Sequence, residues 1–176
     1  MTPIVSNSAT AKTRQLGKAA GPAGKSDSSG KASELDFYGW AKNQAALLRE
    51  GRLTEIDALG LADEIDDVAS REYDKLESAL TVLFQHILKW DFQAERRLRS
   101  WANTIAEQRK RVSRQLARNP SLKSRLEEAI TDAYGYGRSG ASSETDLDID
   151  IFPSGLPYSW EDIMNREFLF VPPTGN

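Results

Sequence analysis

From Ile56 to Trp90 large apolar residues recur at three- and four-residue steps: Ile56, Leu59, Leu61, Ile65, Val68, Leu76, Leu80, Leu83, Ile87 and Trp90. That spacing returns to one face of an α-helix. It predicts one helix of about 35 residues, about 50 Å long at the standard rise, bent near Gly60. Such a helix needs a partner along most of its length to keep its stripe out of water. Thr54 with Asp57 three residues on predicts the capping box at its start, Asp standing for the usual Glu. Upstream, Leu35, Phe37, Trp40, Ala41, Leu47 and Leu48 predict a shorter helix, capped by Ser33 or Asp36 and stopped by Gly51.

Downstream, Asp91 to Glu95 forms a break, after which Ser100 is positioned to cap a helix with the stripe Trp101, Ile105, Val112 and Leu116. Asn119-Pro120 ends that helix and starts another, with Asn119 as N-cap and Pro120 at the first position. Its buried face is Leu122, Leu126, Ala129, Ile130, Ala133 and Tyr134. Gly135, Gly137 and Gly140 weaken its far end, each by roughly 1 kcal/mol relative to Ala. Pro153 and Pro157 mark loop. Ser159 with Asp162 caps a short last helix carrying Trp160 and Ile163, and Phe168 to Pro173 reads as extended. No repeat and no strand pattern competes, so the expected fold is all-α: an antiparallel helical bundle with one long helix.

Composition adds boundaries. The chain has 176 residues, 39% of them hydrophobic and 28% charged, enough for one soluble domain with a real core. Residues 1–32 are rich in Ala, Gly, Ser, Thr and Lys and carry a net charge of +4. Such a stretch buries too little to offset its ordering entropy, and reads as a disordered basic tail. The helical domain is expected over 33–170, with a C-terminal tail over 171–176. The absence of cysteine excludes disulfides, thiol nucleophiles and cysteine-ligated zinc. No apolar run is long enough for a bilayer and no secretory h-region opens the chain, so a cytoplasmic protein without membrane contact is expected.

Charge is segregated along the chain. Arg96 to Arg118 holds eight Lys/Arg and one acid, net +7, between segments of net −7 (Glu34 to Asp91) and −8 (Glu127 to Asn176). Either the basic helix, with the basic tail, faces a phosphate backbone, Arg97 and Arg109 among its contacts, or acidic helices neutralise it. A hairpin folded at residue 93 or 94 sets Glu77 opposite Arg109, Lys110 and Arg111, and Asp74 near Arg114. That mirror favours neutralisation, in pairs that specify register more than stability. No helix-turn-helix spacing supports the nucleic-acid reading.

The strings LADEIDDVASREYDKLESALTVLFQHILKW, SWANTIAEQR, NPSL and PYSWEDIM, in that order, resemble the bacterial DUF29 family, a domain of unknown function. The resemblance covers about Leu35 to Phe170. It implies a helical fold and no particular activity. Ala94 and Leu98 stand where the resemblance implies Pro and Ser in a turn motif. Gly135, Gly137 and Gly140 interrupt what in the family reads as a continuous helix.

The polar residues offer little chemistry. His86, the only histidine, shares a helix face with Leu83 and Trp90. A buried imidazole bonded to a carbonyl or carboxylate is the plainer reading; a ligand or general base is the sharper one. The hairpin puts His86 opposite Trp101, with Arg97 a turn closer to the break. Glu77 sits about 2.5 turns from His86 on its own helix, and Glu64 about 33 Å away, too far to share a site. The Glu-x-x-His pairs of di-iron bundles are absent, since position 83 is Leu. The run Asp63, Glu64, Asp66, Asp67 lacks the glycine and spacing of an EF-hand loop. There is no phosphate loop, nucleophile elbow or HExxH. No catalytic residue, metal or cofactor is expected. The favoured function is a non-catalytic helical module that binds another protein. Nucleic-acid binding through Arg96 to Arg118 and the N-terminal tail is the alternative, and a small-ligand or metal site around His86, with Arg97, Trp101 and Glu77, is the third; Arg109 and Glu64 complete the binding candidates.

Overall fold

The structure, a computed structural model, describes residues 36–171. The expectations for the N-terminal tail and for the last five residues lie outside that range. Among the described residues five α-helices form: α1 (Phe37–Arg49), α2 (Ala58–Phe92), α3 (Arg99–Arg118), α4 (Leu126–Thr145) and α5 (Trp160–Asn165). Short 3-10 turns lie at Ala94–Arg96, Pro120–Arg125 and Ile149–Ile151, and no strand is present among the described residues. The chain divides into two compact units between Gly60 and Leu61.

In the first unit, Asp36 caps α1 by accepting the Gly39 N–H at 2.9 Å. The helix stops as its C-terminal glycine dictates. Gly51 has φ 71°, its N–H reaches the Leu48 carbonyl, and the Arg52 N–H reaches the Leu47 carbonyl. That is a Schellman motif, which needs the left-handed conformation glycine adopts without strain. Arg52 is then held by Glu50 and Glu55. The buried Gln44 side chain accepts the Asp57 N–H at 2.8 Å. The expected Thr54–Asp57 box does not form. Asp57 itself accepts the Gly60 N–H at 3.1 Å, so the cap sits three residues later than predicted.

In the second unit, α2 and α3 form the antiparallel hairpin that the break implies. The Gln115 amide donates to Glu72, and Lys89 lies over Trp101, so α3 runs back along α2. Next, α4 returns parallel to α2: Arg125 covers Tyr73, Gly137 meets Thr81 and Phe84, and Glu144 pairs with Lys89. Leu76, Leu80, Leu83, Phe84, Ile87 and Leu88 of α2 form the core with Ile105, Val112, Ala129, Ala133 and Tyr134, closed by Phe152 and Ile163. The fold is thus all-α and bundled around one long helix, as the pattern predicts. Ser159 and Asp162 make the capping box of α5, with both reciprocal bonds.

Several local expectations are corrected. Ser100 does not cap α3: the cap position is Leu98, without a side-chain bond, and Ser100 lies inside the first turn. Asn119 sits at the cap before Pro120 but spends its amide on Glu72. The glycines do not interrupt α4, which runs unbroken to Thr145. A Cβ on Gly137 would lie 2.8 Å from the Phe84 Cβ and 2.9 Å from the Thr81 carbonyl, so this glycine lets α4 approach α2 closely. Of the two large residues carried by α5, Ile163 is buried and Trp160 is 37% exposed.

The largest difference concerns the stripe of α2. Burial on this helix begins only at Tyr73. Ile65 and Val68 are 66% and 55% exposed, and Leu59 is also exposed, although all belong to the periodic stripe. The chain's own hairpin covers the C-terminal half of the helix and leaves the preceding three turns as an arm.

Candidate functional site

Two places gather the polar side chains of the second unit: the end of the bundle near the break, and the long edge where α2 and α3 meet.

At the break, α2 ends in Lys89, Trp90, Asp91 and Phe92, so side chains fan out in every direction around the last turn. Lys89 is 6% exposed. Its ammonium meets Glu144 at 2.5 Å and lies 4.5 Å from the centre of the Trp101 ring. A buried cation requires such a partner. The ring face adds a cation–π attraction, and the position beside the last turn of α4 suits positive charge. Lys89 holds the Glu144 carboxyl below the usual range. Asp91 accepts the Tyr158 hydroxyl at 2.8 Å and the Arg166 guanidinium at 2.9 Å. Burial first, and then the bond to Asp91, pushes the Tyr158 phenol well above its ordinary value. Phe168 lies beneath Arg166 and Arg109 and edge-on to Trp90.

The residues singled out from the sequence are distributed through this architecture. His86 directs Nδ1 to the Val82 carbonyl at 2.9 Å. A carbonyl only accepts, so Nδ1 carries the hydrogen and Nε2 is the nitrogen left to bind a proton. Burial pushes the His86 pKa down, against the smaller upward pull of the carbonyl bond. Arg97 donates Nε to the Trp90 carbonyl and stacks on that ring. It closes the end of α2 and lines a cavity of about 530 Å³ with Leu98 and Phe170. Trp101 covers Lys89, not His86. Arg109 lies far from the Glu77 partnership expected of it. Its three nitrogens donate to the carbonyls of Ile163, Arg166 and Asp162 at 2.7, 2.7 and 3.1 Å. That geometry satisfies the open carbonyls at the end of α5. Glu77 instead faces Asp132 and Asp74, and burial above all, then those like charges, raises its pKa. The mirror placed the helices correctly, but rotation about the helix axis turned Glu77 toward α4. Glu64 lies on the arm, on the same unbroken helix as His86, and the two are not brought together.

Sequence reading missed Lys89–Glu144 and Asp91–Tyr158–Arg166, whose partners lie 55 and 67 to 75 residues apart. A lysine and an aspartate amid the apolar end of α2 were the available signal. Among the described residues no group of three or more His, Asp or Glu is placed to hold a metal ion, and no helix is long and apolar enough to cross a membrane.

The pKa direction of His86 has a testable consequence. A depressed folded pKa means the folded state resists the proton. The stability this contributes is fully present above the free value of 6.5 and is lost as the pH falls through the lower folded value. The urea midpoint is expected to drop between about pH 7.5 and about pH 5, and His86→Gln should make that drop shallower. Identical pH slopes in both proteins would contradict it.

Along the other edge, α2 and α3 enclose an open groove of about 600 Å³. Ala79 and Val82 contribute its apolar lining, Gln108 and Gln115 its polar lining, and Arg111, Arg114 and Arg118 stand along its α3 side. Among the described residues the pairs expected to neutralise this basic helix do not form. Arg111 pairs only with Glu107 of its own helix. Asp74 lines the same groove as Arg114, yet neither that arginine nor Lys110 nor Arg118 forms an ion pair among the described residues. Lys75, across the groove, is taken by Glu72.

These elements define the class: an α-helical bundle with its polar residues spent on knitting the break, a basic groove on one edge, and a projecting helical arm. The chain matches the family model described as Domain of unknown function DUF29 over residues 34–169, and it belongs to that family. No curated protein and no solved structure matches it.

Proposed function

We propose that this protein is a non-catalytic interaction module that docks another protein segment along the arm of α2, residues 61–72. One observation carries the reading: Ile65 and Val68 of the arm are exposed, although their stripe is buried from Tyr73 onward. A helical face of that kind is the usual half of a helix-in-groove contact. Asp63, Asp66 and Asp67 project away from that face and Glu64 borders it, so the occupant presents mainly apolar side chains. Glu144, Asp91 and their partners are consumed in holding the bundle together.

The experiment is a pull-down with the full chain and with Ile65→Asp/Val68→Asp, at low and higher salt, with and without nuclease. Both positions are exposed, so helicity and melting temperature should change little. Partners that survive nuclease and vanish in the variant are the expected outcome. A captured set that the variant leaves intact would overturn the reading. The unneutralised Arg114 and Arg118 favour a second reading, nucleic-acid binding. Its signature is binding that collapses with nuclease and falls steeply with salt.

A further inference from the structure

The groove between α2 and α3 holds polar groups that the fold does not use. Gln108 lines it and is only 7% exposed, yet its amide forms no hydrogen bond among the described residues. A buried amide gives up water, and without a partner folding returns nothing for it. Its polar neighbours differ. Gln115 and Lys75 are spent on Glu72, and Arg111 on Glu107. The side chains of Ser78, Arg114 and Arg118 line the same groove and, like Gln108, bond to nothing among the described residues. We infer that this groove binds a nucleoside polyphosphate, its base at Gln108 and its phosphates at Arg114 and Arg118.

Gln108 precedes Arg114 and Arg118 by six and ten residues on one helix. That places the two cations about 9 and 15 Å farther along the axis. A lone phosphate or carboxylate cannot touch both ends, whereas a nucleoside with two or three phosphates can. The Gln115–Glu72 bond sets the register of the hairpin, and by it Gln108 stands opposite Ala79. Ala79 and Val82 supply apolar surface for a base. The amide presents a donor beside an acceptor, the pattern that pairs twice with the edge of adenine. At the other end, guanidinium forks match phosphate oxygens. Four cationic and two acidic side chains line the groove, a net charge of +2 in a chain of net −3. Glu107 adjoins Gln108, away from the phosphates, and Asp74 is outnumbered by Arg114 and Arg118. Acids interrupting the basic wall suit charge gathered at one end of a ligand better than an unbroken strand of phosphates. The volume of about 600 Å³ also falls within the range of small-molecule sites, about 300 to 1,000 Å³. No arm residue takes part, so this site and the docking role stand or fall separately.

The test is equilibrium dialysis of the full chain against ATP, with inorganic tripolyphosphate and single-stranded oligoadenylate as the other probes. One ATP per chain is expected, with a dissociation constant below about 100 µM that rises with salt. Arg114→Ala/Arg118→Ala changes exposed positions and should fold normally. It should weaken ATP and tripolyphosphate alike, by at least about tenfold. Gln108→Leu should weaken ATP by at least about tenfold and leave tripolyphosphate unchanged. Because the amide has no partner to lose, that variant should melt no lower than the wild type. A clearly lower melting temperature would mean that the amide already has a partner inside the fold, and would overturn the assignment. No retention of ATP at about 1 mM would overturn it too. So would equal affinity for ATP and tripolyphosphate with Gln108→Leu indifferent, the mark of a bare anion patch. If oligoadenylate binds while ATP does not, the nucleotide site falls and nucleic-acid binding stands.

Discussion

Replacing Trp101 with Ala is expected to destabilise the protein by roughly 3 to 5 kcal/mol, the usual cost of deleting a buried Trp side chain. The ring is buried at the start of α3, where the hairpin closes, and it covers the Lys89 ammonium. Removing it opens a cavity and exposes one side of the ion pair with Glu144. The loss should therefore combine packing with a weakened buried charge pair. A fall in melting temperature on the order of 10 °C is the expected reading. Trp101→Phe, which keeps an aromatic face for the ammonium, should lose much less. An unchanged melting temperature in Trp101→Ala would place the ring outside the core and undo the account of how the break is pinned.

Two glycines of α4 should respond in opposite directions to the same substitution. Helix propensity alone favours Ala over Gly by roughly 1 kcal/mol at each position. At Gly135 a Cβ meets nothing within 4 Å, so Gly135→Ala should stabilise by nearly that amount. At Gly137 a Cβ would come within 3.0 Å of the Gln85 backbone nitrogen and closer still to Thr81 and Phe84. The obstacles include backbone, which cannot swing aside. Overpacking of this kind costs about 1 to 3 kcal/mol, and here it should exceed the gain in propensity. Denaturant midpoints of the two variants decide it. A stabilised Gly137→Ala would mean that α4 stands farther from α2 than described.

Much of the fold was legible in the sequence because helical periodicity and chain punctuation are local. The three- and four-residue spacing located α2 and the stripes of α3 and α4, Gly51 located the end of α1, and Ser159 with Asp162 located the start of α5. The fold-back at residue 93 or 94 gave the antiparallel hairpin, whose heights the Glu72–Gln115 bond matches. Rotation about the helix axis was not legible: Glu77 and Arg109 lie at matching heights but face different neighbours. Glycine was misread for a related reason. Its cost in an isolated helix is a local quantity, whereas the close approach that makes Gly137 necessary belongs to a helix some fifty residues away. The polar clusters at the break depend on partners from the far end of the chain, which no spacing rule reaches. Periodicity also cannot tell a stripe buried by its own chain from one left bare, and so the arm of α2 read as core.

The central claim is that the Ile65 and Val68 face of α2, exposed among the described residues, is covered by a partner. Amide hydrogen exchange of the full chain, dilute and then saturated with its partner, tests it most directly. Exchange in the dilute protein should be much faster over 61–72 than over 73–92, with protection of 61–72 rising on saturation. Equal, strong protection of both stretches in the dilute protein would contradict the claim, because the arm would then already be covered by its own chain.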